Sequence, residues 1–358
     1  MKILYGVQAT GNGHITRARV LGPALIDRGA EVDFLFSGRA KDQLFNMEPF
    51  GDFQCRQGLT FSMSKGRVEL WKTLVGNDYR QLYRDIKRLD LSGYDLVVSD
   101  FEPVTAWAAR KQGVESVGIA HQYAFLNPLP DRSIWRFLKP QMKLFAPVRD
   151  AVGLHWDSFG GHCLPPLIQP PMFTPTQVQG KYVVYLPHDD LAELQQALKS
   201  YAGQQFYIYC AVKERSEQGN LVFCPFSRNG FQQDLASCEG VICNAGFGLL
   251  SEAMQYGKKI LCLPQAGQPE QISNARILAG LKRGVVVKSL RVSEVFDWFD
   301  HSAPAVTRWP DVGGALADWL VSDRKIALSS LGDELWSQVS ERRENQAVSE
   351  FSHLAERS

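Results

Sequence analysis

The chain of 358 residues carries 39 basic and 38 acidic side chains, a formal net charge of +1, with 45% hydrophobic and 22% charged residues. That near-balance argues against a dedicated nucleic-acid binder, which would show a basic excess, and the length is a prior for two domains, each able to bury a core. Seven cysteines without a CxxC pair speak against a disulfide framework and a zinc site; no apolar run has the length of a membrane span, and "MKILYGV" enters a strand without signal-peptide anatomy, so the expected compartment is the cytoplasm.

Short apolar runs alternate with helix-length amphipathic segments, the pattern of parallel sheets covered by helices. Lys2 to Val7 reads as a strand, the turn "QATGNGH" follows, and Ile15, Ala18, Leu21 and Leu25 recur at helical spacing. Gly22-Pro23 is expected to kink that helix or split it after two turns. "VDFLF", "DLVVSD" and "SVGIAH" continue the alternation, with a helix around Ala106 to Lys111. Residues 163–180, with five prolines, read as a connector. Strand–helix alternation then resumes through "YVVYLP", "QFYIYCAV", "NLVFCPF", "GVICNAG" and "KKILCLP". The expected organisation is an N-terminal domain over 1–162, a linker over 163–180, a second α/β domain over 181–323, and a helical segment without strands over 324–358 that packs back on the first domain.

The first glycine turn lies at the C-terminal end of a parallel strand, where open α/β sheets bind ligands. Gly11 and Gly13 let a partner approach the backbone, and the following helix start favours negative charge. His14 at this turn is a candidate general base, with helix capping as the plain alternative. Asp100 ends another strand on the same sheet edge; it either orients the imidazole or caps the next helix. A nicotinamide-binding turn fits poorly: the third glycine is Thr16, and Asp33 falls inside the second strand.

The second glycine turn carries the stronger signal. A strand ends at Cys243, the turn runs Asn244-Ala245-Gly246-Phe247-Gly248, and a helix continues to Tyr256. Amides at this helix start suit a phosphate. Glu252, one turn on, suits the hydroxyls of a ribose, or is an ordinary glutamate stabilised by the helix dipole. The loop after the next strand gathers Gln265, Gln268, Glu270, Gln271 and Asn274, which suits a polyhydroxylated ligand; a solvated polar loop is its plain alternative. Phe231 and Gln232 are candidates for touching a nucleobase. In "YLPHDDLAEL", Asp189 and Asp190 are expected to cap a helix. Residues 131–150 carry Arg132, Arg136, Lys139, Lys143 and Arg149, with Ile134, Phe137, Leu138, Met142 and Phe145 on one face. A core-facing helix with a solvated basic side is favoured there over peripheral contact with an anionic membrane.

These blocks resemble the two-domain glycosyltransferases of the GT-B fold: α/β, with two Rossmann-like domains facing across a cleft. The C-terminal block is similar to the donor segment of the enzyme that adds N-acetylglucosamine to lipid I and of the UDP-glycosyltransferases. Asn244, Gly246 and Glu252 keep the spacing of that motif, with asparagine where a histidine is usual. Glu270-Gln271 resembles the pair that contacts the donor sugar, and "TGNGH" resembles the N-terminal glycine loop that holds the base of inverting members. The resemblance implies a nucleotide diphosphate sugar as co-substrate, a UDP-sugar above all. It implies a hydroxyl acceptor, lipid-linked or a saccharide, and inverting transfer if His14 is the base; with a helix dipole to stabilise the departing diphosphate and no DxD motif, neither a metal nor a further cofactor is expected. His14 would act with Asp100; Gly11, Gly13, Asn244, Ala245, Gly246, Phe247, Gly248, Glu252, Gln268, Glu270 and Gln271 would bind substrate. A nucleotide-sugar 2-epimerase of the same fold and a non-catalytic nucleotide-sugar binder are the alternatives.

Overall fold

The computed structural model describes every residue except 45, 61–62, 65–66, 69–75, 291 and 343–358. The chain forms two compact units. The first comprises Met1–Ser62, Val68–Gln169 and Pro310–Gln338; the second comprises Met63–Arg67, Pro170–Trp309 and the segment beginning at Val339.

In the first unit the strands are β1 (Lys2–Gln8), β2 (Glu31–Ser37), β3 (Gln54–Arg56), β4 (Leu96–Asp100), β5 (Ser116–Ala120), β6 (Asp150–Leu154) and β7 (Cys163–Leu164). They form one sheet in the order β3-β2-β1-β4-β5-β6-β7, every neighbouring pair parallel. The continuous apolar character of β1, β4 and β5 follows from this, because both faces of a parallel sheet are covered. Helix α1 (Asn12–Asp27) follows β1, α2 (Tyr79–Arg88) precedes β4, α3 (Pro103–Gln112) joins β4 to β5, and α4 (Arg132–Phe145) precedes β6. Strand order reverses between β1 and β4, so the loops after these two strands meet at a topological switch point.

Of the kink or split expected at Gly22-Pro23, the split does not occur: α1 is one helix with Pro23 inside it. Ile15, Ala18, Leu21 and Leu25 are all buried, at about 1.5–3 kcal/mol for each large side chain, which outweighs one lost backbone hydrogen bond. Gly22 lies under Phe34, whose Cζ would be 2.7 Å from an added Cβ. The face expected of α4 is also corrected. Leu138 is buried in a cluster that Ile134, Trp135 and Met142 pack against, whereas Phe137 is 55% exposed and stands on the basic side.

The second unit holds β8 (Lys181–Tyr185), α5 (Leu191–Lys199), β9 (Gln205–Cys210), β10 (Ser216–Gln218), β11 (Leu221–Pro225), α6 (Arg228–Ser237), β12 (Gly240–Cys243), α7 (Phe247–Gln255), β13 (Lys259–Cys262), α8 (Pro269–Gly280), β14 (Val285–Val286) and α9 (Val292–Phe299). Its sheet order is β10-β11-β9-β8-β12-β13-β14, parallel except for the edge strand β10. Here the order reverses between β8 and β12, at the turns "PHDD" and "NAGFG". Tyr182, Phe206, Leu261 and Trp298 centre its core.

Three boundaries differ from the sequence reading. Cys163–Leu164, placed in the connector, is a strand of the first sheet, and the units part at Gln169/Pro170. The chain rejoins the first unit at Pro310 rather than near Arg324. The reason is the apolar helix α10 (Val312–Val321). Its Gly313 lies close against α1, since an added Cβ would be 2.7 Å from Val20, and Arg28 of α1 donates twice to Asp318 at 2.6 and 2.8 Å. Helix α11 (Leu328–Gln338) is tied to β7 by Trp336, whose indole donates to the Cys163 carbonyl at 2.7 Å. Finally, the segment expected to lack strands contains one. Strand β16 (Ser340–Arg342) pairs antiparallel with β15 (Val306–Arg308) in the second unit, a three-residue charged pairing too short for an apolar signal.

Candidate active site

At the first switch point, β1 hands the chain to α1 through the turn at Ala9 to Gly13. Gly11 is the cap residue of α1, with φ −120° and ψ 145°, no side-chain cap and no acid in the first turn. The first turn of the helix thus carries no acid or side-chain cap of its own to offset its positive end. Among the described residues, none lies within 4 Å of a Cβ added to Gly13, and the His14 ring edge at 4.0 Å is the neighbour of one added to Gly11. Arg39 braces the turn, donating to the Thr10 carbonyl at 3.0 Å and to the Asn12 side chain at 3.2 Å.

Val7 is paired with Asp100 across β1 and β4, which brings the two strand ends level. His14 Nδ1 lies 2.7 Å from Asp100 Oδ1, with 12% of the imidazole exposed and none of the carboxylate. A buried carboxylate and a partly open ring form an orienter–base geometry. Although burial pushes the Asp100 carboxyl upward, the Arg17 guanidinium and His14 hold it below the usual carboxylate range.

The capping alternative for Asp100 is resolved by its neighbour. Glu102 is the cap of α3, accepting from the Val104 and Thr105 amides at 2.8 and 2.6 Å and from the Ser37 and Thr105 hydroxyls at 2.6 Å each. Phe101 between the two acids has φ +53°, and its ring stacks on Phe145 with centroids 4.8 Å apart. That left-handed residue lets Asp100 face α1 while Glu102 caps α3. Burial pushes the Glu102 carboxyl above its ordinary range, opposed by its four donors. Sequence reasoning missed Glu102 and Arg17; His14 and Arg17 at i, i+3 on one helix was the available signal.

In the second unit α7 also starts without a side-chain cap. Gly246 is its cap residue at φ −74°, ψ 123°, exposed, with no acid in the first turn and, among the described residues, no neighbour within 4 Å of an added Cβ. By contrast α2, α3, α4, α5, α6 and α10 carry side-chain caps from Asp78, Glu102, Asp131, Asp190, Ser227 and Asp311. Phe247 is buried and Gly248 half-buried.

Asn244 donates to the Leu263 carbonyl at 2.9 Å and lies 3.4 Å from Asp189, while Asp190, alone of the two aspartates, caps α5. Glu252 is half-buried and accepts from Gln232 at 2.8 Å, so the glutamine proposed for a base adjoins the glutamate proposed for a ribose. Burial raises the Glu252 carboxyl, opposed by Gln232 and Arg228.

Gln271 is used within the fold. Its Oε1 accepts from the Ala245 and Gln265 amides at 3.1 and 2.9 Å, and its Nε2 donates to Gln265 Oε1 at 3.0 Å. It ties the turn after β12 to the loop after β13, as Asn274 does by donating to the Ala245 carbonyl at 3.0 Å. Gln268 and Glu270, both half-buried, open α8.

The sequence profile of glycosyl transferase family 1 matches residues 1–133 and 161–301. The chain belongs to that family. It is a glycosyltransferase of the GT-B fold, and solved structures of similar architecture cover nearly the whole chain. One is the glycosyltransferase SnogD from Streptomyces nogalater, at 17% identity and TM-score 0.53, covering 94% of this chain and 96% of its own. A second is the Streptomyces sp. SF2575 glycosyltransferase SsfS6, complexed with thymidine diphosphate, at 16% identity and TM-score 0.55, covering 84% and 92%. A third is Arabidopsis thaliana UGT89C1, complexed with UDP, at 15% identity and TM-score 0.56, covering 91% and 99%. These likenesses establish the fold. No curated protein matches the sequence. Among the described residues no helix is long and apolar enough to cross a membrane.

Proposed function

We propose that this glycosyltransferase moves a sugar from a nucleotide diphosphate donor, UDP-linked or TDP-linked, to an acceptor hydroxyl with inversion at the anomeric carbon. The observation that carries the reading is His14 Nδ1 at 2.7 Å from the buried Asp100 carboxylate beside an uncapped glycine turn. His14 takes the proton of the acceptor hydroxyl through Nε2, and the alkoxide-like oxygen attacks the anomeric carbon. The bond to the diphosphate breaks as it attacks, and Asp100 stabilises the imidazolium that forms. The amides and dipole of α7 receive the diphosphate and stabilise it as it leaves, with no metal called for. Glu252 accepts the ribose hydroxyls, Gln232 adjoins the base, and Gln268 and Glu270 meet the sugar. Gln271 holds their loops in place.

The choice of nucleotide draws on the UDP and thymidine diphosphate held by two structures of like fold. The nearer grouping with the lipid I N-acetylglucosaminyltransferase, and with it a lipid-linked acceptor rather than a saccharide, rests on the spacing of Asn244, Gly246 and Glu252 and on the "TGNGH" turn. Seven cysteines, none in a disulfide, fit a reducing cytoplasm.

Thermal unfolding against a panel of UDP- and TDP-sugars tests the donor assignment. A true donor raises Tm, by about 2.7 kcal/mol of stabilisation at a hundredfold excess over Kd, and yields free nucleotide only when an acceptor is added. A Tm that no nucleotide moves contradicts the assignment; a donor isomerised without acceptor would make the protein an epimerase.

A further inference from the structure

We propose that Arg17 is a positioning residue of the transfer site, neutralising the buried Asp100 carboxylate so that Asp100 orients His14 without holding it as an imidazolium. The inference rests on the base role given to His14. Three distances carry it. Arg17 Nε donates to Asp100 Oδ2 at 2.8 Å, Arg17 Nη2 donates to Asp100 Oδ1 at 2.6 Å, and the same Nη2 lies 2.7 Å from His14 Nδ1. Arg17 is 5% exposed and Asp100 0%.

A carboxylate this buried, with an imidazole as its one partner, would be an uncompensated charge whenever the imidazole was neutral. It would then take up a proton itself or keep one on the ring, and either outcome removes a base. A guanidinium stays charged at any working pH, and its two parallel N–H bonds fix the plane of the carboxylate. Asp100 thus remains ionised beside a neutral ring.

Oδ1 faces Nδ1 at hydrogen-bond distance, where two lone pairs would repel. Nδ1 stands 2.7 Å from both Asp100 Oδ1, which only accepts, and Arg17 Nη2, which only donates; in the proposed arrangement the Nη2 hydrogens go to the carboxylate and the ring proton is on Nδ1, donating to Asp100 and leaving the Nε2 lone pair to the acceptor. The Arg17 charge beside Nδ1 further opposes protonation of the resting ring, before the acceptor proton arrives and Asp100 stabilises the imidazolium that forms.

Among the described residues, Tyr5 of β1 and Tyr123 after β5 are also within electrostatic reach of Asp100. Burial holds both phenols protonated and neutral. Glu102 is turned to Ser37 and Thr105.

The test compares the full-length chain with Arg17→Gln and Arg17→Lys. The His14 ring is followed by NMR from about pH 5 to 9 and assigned by the signal missing in His14→Ala. Arg17→Gln, which removes a positive charge beside the ring, is expected to move the His14 titration, and with it the acid limb of the turnover profile, to higher pH than in wild type. Arg17→Lys keeps the charge, and both midpoint and limb stay close to wild type. A folded Arg17→Gln with an unmoved midpoint overturns the proposal, even if its turnover has dropped. Should Arg17→Gln not fold, ring 15N shifts of the wild type decide: a neutral ring with the proton on Nδ1 near pH 8 supports the proposal, and an imidazolium there overturns it. The titration needs no substrate. If His14→Ala keeps its turnover, the base role fails separately while the electrostatic result for Arg17 still stands or falls on its own.

Discussion

Replacing Asp100 by asparagine removes one negative charge from a point where Arg17 donates two bonds and His14 Nδ1 lies 2.7 Å away. An amide fills the same volume but presents one oxygen and turns an NH2 group toward a donor. Arg17, 5% exposed, loses the buried carboxylate to which it donates twice, a loss of about 3–5 kcal/mol for a broken buried pair. For a unit of this size that corresponds to roughly 10 °C in Tm. Calorimetry of wild type, Asp100→Asn, Arg17→Met and the double variant measures the coupling directly. The double variant should be more stable than the sum of the single losses implies, by about 2 kcal/mol, because neither ion is left behind. The pH dependence has a definite sign. Since the folded carboxyl is held below its ordinary range, its contribution is present above the unfolded value of about 3.9 and lost as pH falls through the folded value. Asp100→Asn should therefore show a shallower loss of stability in acid. Asp100→Asn within a degree of wild type, or strictly additive losses, would refute the buried-pair argument.

Gly246→Ala meets no atom of the described residues within 4 Å and keeps an ordinary φ, so Tm should be unchanged while the affinity for UDP or TDP, read by calorimetry, falls about tenfold or more as the methyl keeps phosphate from the amides. Gly6→Ala would place a Cβ 2.0 Å from the Thr105 hydroxyl that bonds Glu102. It should cost about 1–3 kcal/mol in denaturant unfolding. Glu252→Gln should weaken donor binding about tenfold, with a smaller effect on a 2′-deoxyribose nucleotide, because a lost ribose hydrogen bond to a charged group is worth about 1.5–3 kcal/mol.

Both glycine turns could be read from the sequence because each follows a short apolar run and precedes a helix-period pattern, and a parallel sheet puts such turns on one edge. His14 and Asp100 followed from that edge alone. Arg17 did not, since an arginine on an amphipathic helix ordinarily reads as a solvated charge; its burial depends on Asp100, eighty-three residues away. The choice between Asp100 and Glu102 as the cap of α3 turned on the left-handed conformation of Phe101, which an ordinary phenylalanine does not announce. Gln271 looked like a sugar contact because amides suit hydroxyls, yet two loop amides claim its oxygen. The return of α10 to the first unit depends on the Arg28–Asp318 pair and the close approach at Gly313, contacts between segments nearly three hundred residues apart.

The most direct measurement is turnover and donor affinity in His14→Ala, whose ring is 12% exposed and whose loss leaves the Arg17–Asp100 pair in place. A general base accounts for about 10²–10⁴ in rate, so kcat should fall by that factor while the Kd for the nucleotide sugar, set in the second unit, stays within about twofold. Turnover close to wild type, with the chain folded and the donor bound, would contradict the assignment of His14 as the base.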